Sequence, residues 1–289
     1  MQCEKPIRLS VKHDYDIVVP CGRCRSCRIA YSRTWSARLL HELHYWNDSV
    51  FATLTYDDEH LPENGSLVKG DLQKFFKRLR KNNRLEKNLR YFACGEYGDK
   101  SGRPHYHAII YGLGFKDREM IKDAWRQCVW YPRLDRKRFG TVTYDSCRYV
   151  SDYVFKKYSG VKNSEVYTSK GLETPFRLCS KGLGLRWAQD NKDQLERQGG
   201  FTLRGIPVQV PRYYVKKLDL NLKQVDNDDV WLKYMRSQNY ELYLHYRKWQ
   251  EKQRYDMCDY ILDQFKQLSA DQRALNVAAR TSLRQKGSF

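Results

Sequence analysis

Residues 103 to 112 read Arg103-Pro104-His105-Tyr106-His107-Ala108-Ile109-Ile110-Tyr111-Gly112, and no other stretch restricts the fold so tightly. The run is rich in residues that favour strands, and a strand repeats every second residue. His105 and His107 therefore project side by side from one face of a sheet. Tyr106, Ala108 and Ile110 take the other parity and would meet a covering layer of helices. Arg103-Pro104 suits a turn entering the strand, and Gly112 suits its exit. Two neutral imidazoles on one face form a metal site in want of a third ligand. Taken alone, the pair also fits a surface strand that happens to carry two histidines.

Upstream, Tyr91 to Gly98 reads as a strand ending in glycine. The turn-rich link from Asp99 to Arg103 is short enough to join the two strands as a hairpin. Glu96 then falls near both imidazoles and completes a Glu96, His105, His107 set. Mixed nitrogen and oxygen donors suit Mg²⁺ or Mn²⁺, with coordination positions left open for phosphate oxygens. A further strand, Val50 to Tyr56, runs into Asp57-Asp58-Glu59, a polar loop first and a candidate part of the site second. Downstream, residues 147 to 157 read as a helix. Tyr149 and Tyr153 are spaced i, i+4 and Lys156 follows at i+7, so the three lie along one stripe. Val150 and Val154 form an adjacent stripe suited to packing on a sheet. By itself this is an ordinary amphipathic helix; next to a paired-histidine strand it is a rarer combination.

These pieces resemble the HUH endonuclease superfamily, whose name denotes two histidines flanking a hydrophobic residue. Phe51-Ala52-Thr53-Leu54-Thr55 resembles its first motif, His105-Tyr106-His107 its second, and Tyr149 with Tyr153 the double-tyrosine form of its third. The chain resembles, more narrowly, the rolling-circle replication initiators of microviruses, gokushovirus type. The segments that carry this are Pro20 to Cys27, Leu54 to Pro62, Asp71 to Arg80, Ser180 to Gly184 and Val210 to Tyr214. The likeness covers roughly residues 1 to 218, with its motifs in the right order. It implies an α+β fold of the HUH type, a central antiparallel sheet with helices on one face. It also implies a tyrosine that attacks origin DNA, leaving a 5′-phosphotyrosine and a free 3′-hydroxyl for a host DNA polymerase. A second tyrosine then takes part in rejoining the displaced strand into a circle. Lys156 would assist the phenol or the developing charge.

The chain carries 53 Lys and Arg against 34 Asp and Glu, a net charge of +19, and 14% aromatic residues. This balance favours a polyanion and supplies stacking surfaces for unpaired bases. The helix from Asp71 to Lys81 sets Lys74, Lys77, Arg78, Arg80 and Lys81 around an apolar stripe of Leu72, Phe75, Phe76 and Leu79. These cations, with Arg103, are the candidate phosphate contacts. No apolar run approaches the roughly 18 residues of a membrane span, and no signal-peptide core is apparent, which places the protein in the host bacterial cytoplasm, with no membrane partner. There is no Gly-x₄-Gly-Lys-Ser/Thr loop, so unwinding falls to a host helicase and the cut strand must be single-stranded or locally melted origin DNA.

Three zones follow: a cysteine-rich segment and helix over 1–48, the endonuclease core over 49–160, and an extension over 161–289 that is mixed and then largely helical. Within the core the patterns predict strand 50–56, helix 70–82, strands 90–97 and 104–111, helix 116–129, strand 140–144 and helix 146–158. Cys21, Cys24 and Cys27, with Cys3 as a fourth, could hold structural Zn²⁺ or an iron–sulfur cluster, or be reduced thiols packed at a helix start. Two other functions share these features. One is an HUH transposase or plasmid relaxase; the other is a non-enzymatic zinc-dependent nucleic-acid-binding protein.

Overall fold

The computed structural model describes residues 3, 5–11, 15–82, 88–98, 101–130, 135–156, 165, 167–204, 206–222, 236, 239–252, 258 and 260–268. Two compact units divide the chain: Met1–Ala30 with Glu196–Gly199 and Asn221–Phe289, and Tyr31–Leu195 with Gly200–Leu220. The first contains the antiparallel pair β1 (Ile7–Val11) and β2 (Tyr15–Val19). It also contains helical segments at Tyr240–Glu251 and 260–268, where Tyr246, Cys258, Leu262 and Phe265 are buried together.

The second unit is built on a five-stranded antiparallel sheet. Its strands are β3 (Ser49–Thr55), β4 (Arg90–Tyr97), β5 (Pro104–Tyr111), β6 (Phe139–Gly140) and β7 (Phe176–Cys179), in the order β6-β3-β5-β4-β7. The hairpin closes as expected: Gly98 N donates to Arg103 O at 3.0 Å, and Gly102, at φ +65°, takes the left-handed position of the turn. β5 lies in the middle of the sheet, which explains why its residues from Tyr106 to Tyr111 are buried on both parities. The sheet draws on residues as far along as Cys179, further than 49–160.

The parity of Tyr106, Ala108 and Ile110 faces helix α2 (Lys69–Asn82), through Leu72, Phe75, Phe76 and Leu79, and helix α3 (Arg118–Ala124), through Ile121 and Ala124. That layer was legible in the sequence. The opposite face, expected to stand open, is also covered over part of its length. Helix α1 (Arg25–Leu43) packs Trp35 and Leu39, and helix α5 (Tyr144–Lys156) packs Cys147 and Val150, against Phe92, Ile109 and Tyr111. The reason is energetic. Ile109 and Tyr111 share the histidine parity, and leaving such side chains in water forfeits about 1.5–3 kcal/mol each.

Two elements differ from the periodicity. The expected strand 140–144 shrinks to Phe139–Gly140, because the next residues cap a helix. Thr143 N donates to Ser146 Oγ at 2.7 Å, and Ser146 N donates to Thr143 Oγ1 at 3.3 Å, a reciprocal cap that outweighs the strand propensity of Thr-Val-Thr-Tyr. The expected helix 116–129 is a 3₁₀ turn (Phe115–Asp117) followed by α3, which stops at Ala124. There Trp125 turns extended, is fully buried, and donates its indole N–H to Thr55 O at 2.8 Å.

The expected 200–215 hairpin is present as β8 (Gly200–Leu203) and β9 (Ile206–Gln209), followed by a helix, Arg212–Leu218. Gly184 lets the chain pass close to α1: its φ is +73°, and a Cβ would lie 2.7 Å from Arg38 O.

Candidate active site

The register aligns the histidine face into rows that run across the strands. Thr55, His105 and Glu96 form one row; Thr53, His107, Cys94 and Arg177 form the next. The following row, Phe51, Ile109, Phe92 and Cys179, is the apolar end that α1 and α5 cover. The face is therefore polar at one end and greasy at the other, and the site sits at the polar end.

Glu96 Oε1 lies 2.8 Å from His105 Nε2 and 3.0 Å from His107 Nε2, and the three donor atoms lie within 4.8 Å of one another. His105 Nδ1 faces Arg103 O at 3.1 Å. A carbonyl only accepts, so this nitrogen carries the proton and Nε2 presents its lone pair to the centre. His107 Nδ1 is 3.1 Å from Thr53 Oγ1. Glu96 and His107 are buried, whereas the His105 side chain keeps 19% of its exposure.

Burial pushes the Glu96 carboxyl up, but the hydrogen bonds and charges of the two histidines outweigh it and hold it below the usual range. Burial pulls His107 below an ordinary imidazole, against the pull of Glu96. The set thus presents one carboxylate and unprotonated nitrogen at neutral pH.

A divalent cation fits these residues. Ligands on neighbouring octahedral positions of a small ion stand about 2.9 Å apart, as the carboxylate oxygen and two imidazoles do here. Two buried polar atoms beside them, Glu96 Oε2 and Thr55 Oγ1, lack hydrogen-bond partners in the protein. Such atoms are costly unless a ligand or its water shell satisfies them.

Tyr149 comes from α5 on the same side. Its ring centroid is 5.2 Å from that of His107 at an interplanar angle of 82°, and 6.1 Å from Phe51, and the residue is 41% exposed. The helix thus brings the first tyrosine of the stripe beside the triad. The backbone of Tyr153 and Lys156 continues this helix; their side chains lie outside the described residues.

The candidate DNA-contacting cations are placed less simply. Lys74, Lys77, Arg80 and Lys81 are exposed, but α2 packs on the face opposite the histidines, so the sheet separates them from the triad. Arg78 is partly tied down by donating Nε–H to Ala124 O at 2.7 Å. Arg103 pairs with Asp58 at 2.7 Å and donates to Tyr56 O, close to the hairpin that carries the site. Asp57 organises its loop, accepting from the backbone N–H groups of His60 and Val129, and stands in no metal-binding group among the described residues. Thr53 and Thr55 are site residues that the motif pattern alone did not single out. The signal was their shared parity in Phe51-Ala52-Thr53-Leu54-Thr55, which acquires meaning only with the strand register.

In the other unit, the sulfurs of Cys3, Cys21, Cys24 and Cys27 also lie within 4.8 Å of one another. Cys3 Sγ and Cys24 Sγ are 3.8 Å apart, and a tetrahedral ion with Zn–S bonds of about 2.3 Å holds its sulfurs about 3.8 Å apart. Backbone N–H groups point at the sulfurs: Cys21 to Cys3 at 3.2 Å, Cys24 to Cys21 at 3.3 Å, Cys27 to Cys24 at 3.4 Å. Burial pushes the Cys21 thiol up, but the amides of Cys24 and Arg23 outweigh it and bring it to about 6. The other five cysteines form no disulfide and join no such group among the described residues.

Among the described residues, no helix is long and apolar enough to cross a membrane. The model of the replication-associated protein ORF2 family matches residues 49–158, the stretch that holds the triad and Tyr149. The chain is 32% identical over 253 residues to replication-associated protein VP4 of Bdellovibrio phage phiMH2K, covering 74% of this chain and 76% of that protein. It is 31% identical over 241 residues to replication-associated protein ORF2 of Spiroplasma virus 4, covering 75% and 72%. With replication-associated protein ORF4 of Chlamydia phage 1 it shares 29% over 229 residues, covering 74% and 56%. No solved structure matches the chain. The chain belongs to the phage replication-associated protein family, and its sequence fits the microvirus type of rolling-circle initiator.

Proposed function

We propose that the protein is a metal-dependent single-strand DNA endonuclease and strand transferase of the two-tyrosine HUH type, which starts rolling-circle replication at an origin. The observation that carries this reading is the Tyr149 ring standing 5.2 Å from His107, over a triad whose nitrogen and oxygen donors converge. A rigid sheet positions the triad, and a helix packed on the same face presents the phenol.

The chemistry is an exchange of one phosphodiester for another. Tyr149 Oη attacks the scissile phosphorus, a P–Oη bond forms, and the bond to the 3′ oxygen breaks. The phenolic proton passes to water on the exposed side, and the leaving 3′ oxygen takes one up. Since the two diesters are similar in energy, no nucleotide hydrolysis is needed and the step reverses. The obstacle is the phenol: with a pKa near 10, it is about a thousandth ionised at pH 7, a deficit of roughly 4 kcal/mol. Mg²⁺ or Mn²⁺ held by Glu96, His105 and His107 supplies Lewis-acid polarisation of the phosphate worth several kcal/mol. His105 Nδ1–H is fixed by Arg103 O, so that imidazole cannot swing away from the centre. Thr55 Oγ1 offers a hydroxyl to the phosphate or its water. Tyr153, one helical turn on, is the second nucleophile, and Lys156 supports the charge that develops. The 3′-hydroxyl then primes a host polymerase, with a host helicase opening the duplex. In the same reading the four cysteines hold Zn²⁺ as a folding element, since closed thiolate sites leave no position for substrate.

Incubation with single-stranded origin DNA and Mn²⁺, followed by a denaturing gel, tests this. A shifted band that needs the metal and survives denaturation supports the reading; its absence with every candidate origin contradicts it. Nicking only at transfer-origin or transposon-end substrates assigns the site to a relaxase or transposase instead.

A further inference from the structure

The row that passes through Thr53, His107 and Cys94 ends at Arg177 on β7. Neighbouring strands lie about 4.8 Å apart, so Arg177 stands on the order of 10 Å from His107 on the same face. Two rings of α1, spaced i, i+4, hold its guanidinium. It lies 4.6 Å from the Trp35 centroid and 5.7 Å from that of Tyr31, and Nη1 donates to Tyr31 Oη at 3.0 Å. Trp35 is buried against Phe92 at 5.0 Å, which anchors the arrangement in the core, whereas Tyr31 remains 41% exposed. Among the described residues no carboxylate pairs with Arg177: Glu96 faces the two histidines, and Asp152 accepts from Ser32 and Arg148. A planar cation fixed between rings, without a counter-ion, beside a site that must hold a polyanion, is preorganised for phosphate. An exposed phenol ring next to it offers a face to an unpaired base.

We propose that Tyr31 and Arg177 form a subsite for one nucleotide of single-stranded DNA on the β7 side of the triad. Arg177 takes a phosphate and Tyr31 stacks a base. The subsite rests on the proposed function for its neighbour, the scissile phosphate. With its strand held there, the reacting phosphate is presented over His107 rather than drifting across the face.

Binding of a short labelled oligothymidylate, followed by fluorescence anisotropy in EDTA across a salt series, tests this without any cleavage. Arg177→Gln should weaken binding roughly tenfold and reduce the slope of log K against log salt by about 0.7, the share of one phosphate contact on a single strand. Arg177→Lys should keep the slope. Tyr31→Ala should lose at least about fivefold at unchanged slope, while Tyr31→Phe binds as wild type does. Melting temperatures of all four separate contact from folding. Wild-type affinity and slope in both Arg177→Gln and Tyr31→Ala would overturn the proposal. So would losses that follow lowered melting temperatures and are not restored by Arg177→Lys. Wild-type protein that binds the strand but forms no adduct with Mn²⁺ contradicts the nicking reading alone.

Discussion

Glu96, His105 and His107 stand on two paired strands in the middle of the sheet, whereas Cys3, Cys21, Cys24 and Cys27 stand on loops and the first turn of a helix. The first set offers nitrogen and oxygen from a scaffold that exists without any ion. The second offers only sulfur, and its geometry brings together residues that little else holds. A metal in the first has vacant positions and can act on a substrate; a metal in the second is enclosed by ligands and can act only on the fold. The same chain thus carries two metal-binding arrangements whose donor atoms already separate chemistry from architecture.

The largest difference should come from removing one ligand in each. His107→Ala is expected to lower adduct formation by about three orders of magnitude, the loss of a Lewis acid worth several kcal/mol, while single-strand affinity is largely kept. Gel quantification and anisotropy on the same preparation check both halves. Cys21→Ser with Cys24→Ser should abolish bound zinc and lower the melting temperature, with adduct formation per folded molecule little changed; elemental analysis and calorimetry read this. Zinc-free wild-type protein of unaltered stability would assign the cysteines to packing. A brief EDTA wash should then split the two sites, stopping cleavage until Mn²⁺ is returned while zinc stays bound.

Acid gives a smaller effect that metal loss must not be confused with. Burial pulls His41 down to about 3, where it stacks on Trp187 at 3.5 Å and meets Tyr214 Oη at 3.0 Å. A depressed folded pKa means that the unfolded chain binds more protons between about 3 and the ordinary imidazole value near 6.5. Stability from this group is complete above about 6.5 and is lost progressively as pH falls toward 3, metal present or not. Chemical denaturation at a series of pH values in EDTA shows it; a flat profile across that window contradicts it. The smallest effect is expected from Lys74→Gln with Lys77→Gln. Lying across the sheet from the triad, these changes should flatten the salt slope by at most about 1.4 and leave the rate at saturating DNA unchanged.

Much of the catalytic region was legible because its chemistry follows parity. Strands 90–97 and 104–111 have the expected bounds, and Glu96 meets both histidines because hairpin register fixes which side chains share a face. Parity, however, says nothing about what covers a face. Phe92, Ile109 and Tyr111 carried the signal for a second helical layer, but it was masked by the two histidines on the same parity. Arg177 was invisible for a different reason: β7 joins the sheet from far along the chain, and only tertiary register sets its arginine in the row of His107. The early helix at Tyr144 depended on two hydroxyls, Thr143 and Ser146, in a stretch that otherwise alternates like a strand. Cys3 joining the cysteine group likewise depends on a long-range approach that spacing cannot supply.

The central claim is that a tyrosine of α5 becomes covalently joined to DNA at the Glu96, His105, His107 centre. Peptide mapping by mass spectrometry of the adduct formed with single-stranded origin DNA and Mn²⁺, on wild type, Tyr149→Phe, Tyr153→Phe and the double variant, measures this directly. A phosphonucleotide is predicted on Tyr149 or Tyr153 in wild type, with a residual adduct on the remaining tyrosine in each single variant and none in the double. An adduct that persists in the double variant, or that maps to another residue such as Tyr144 or Tyr158, would contradict it.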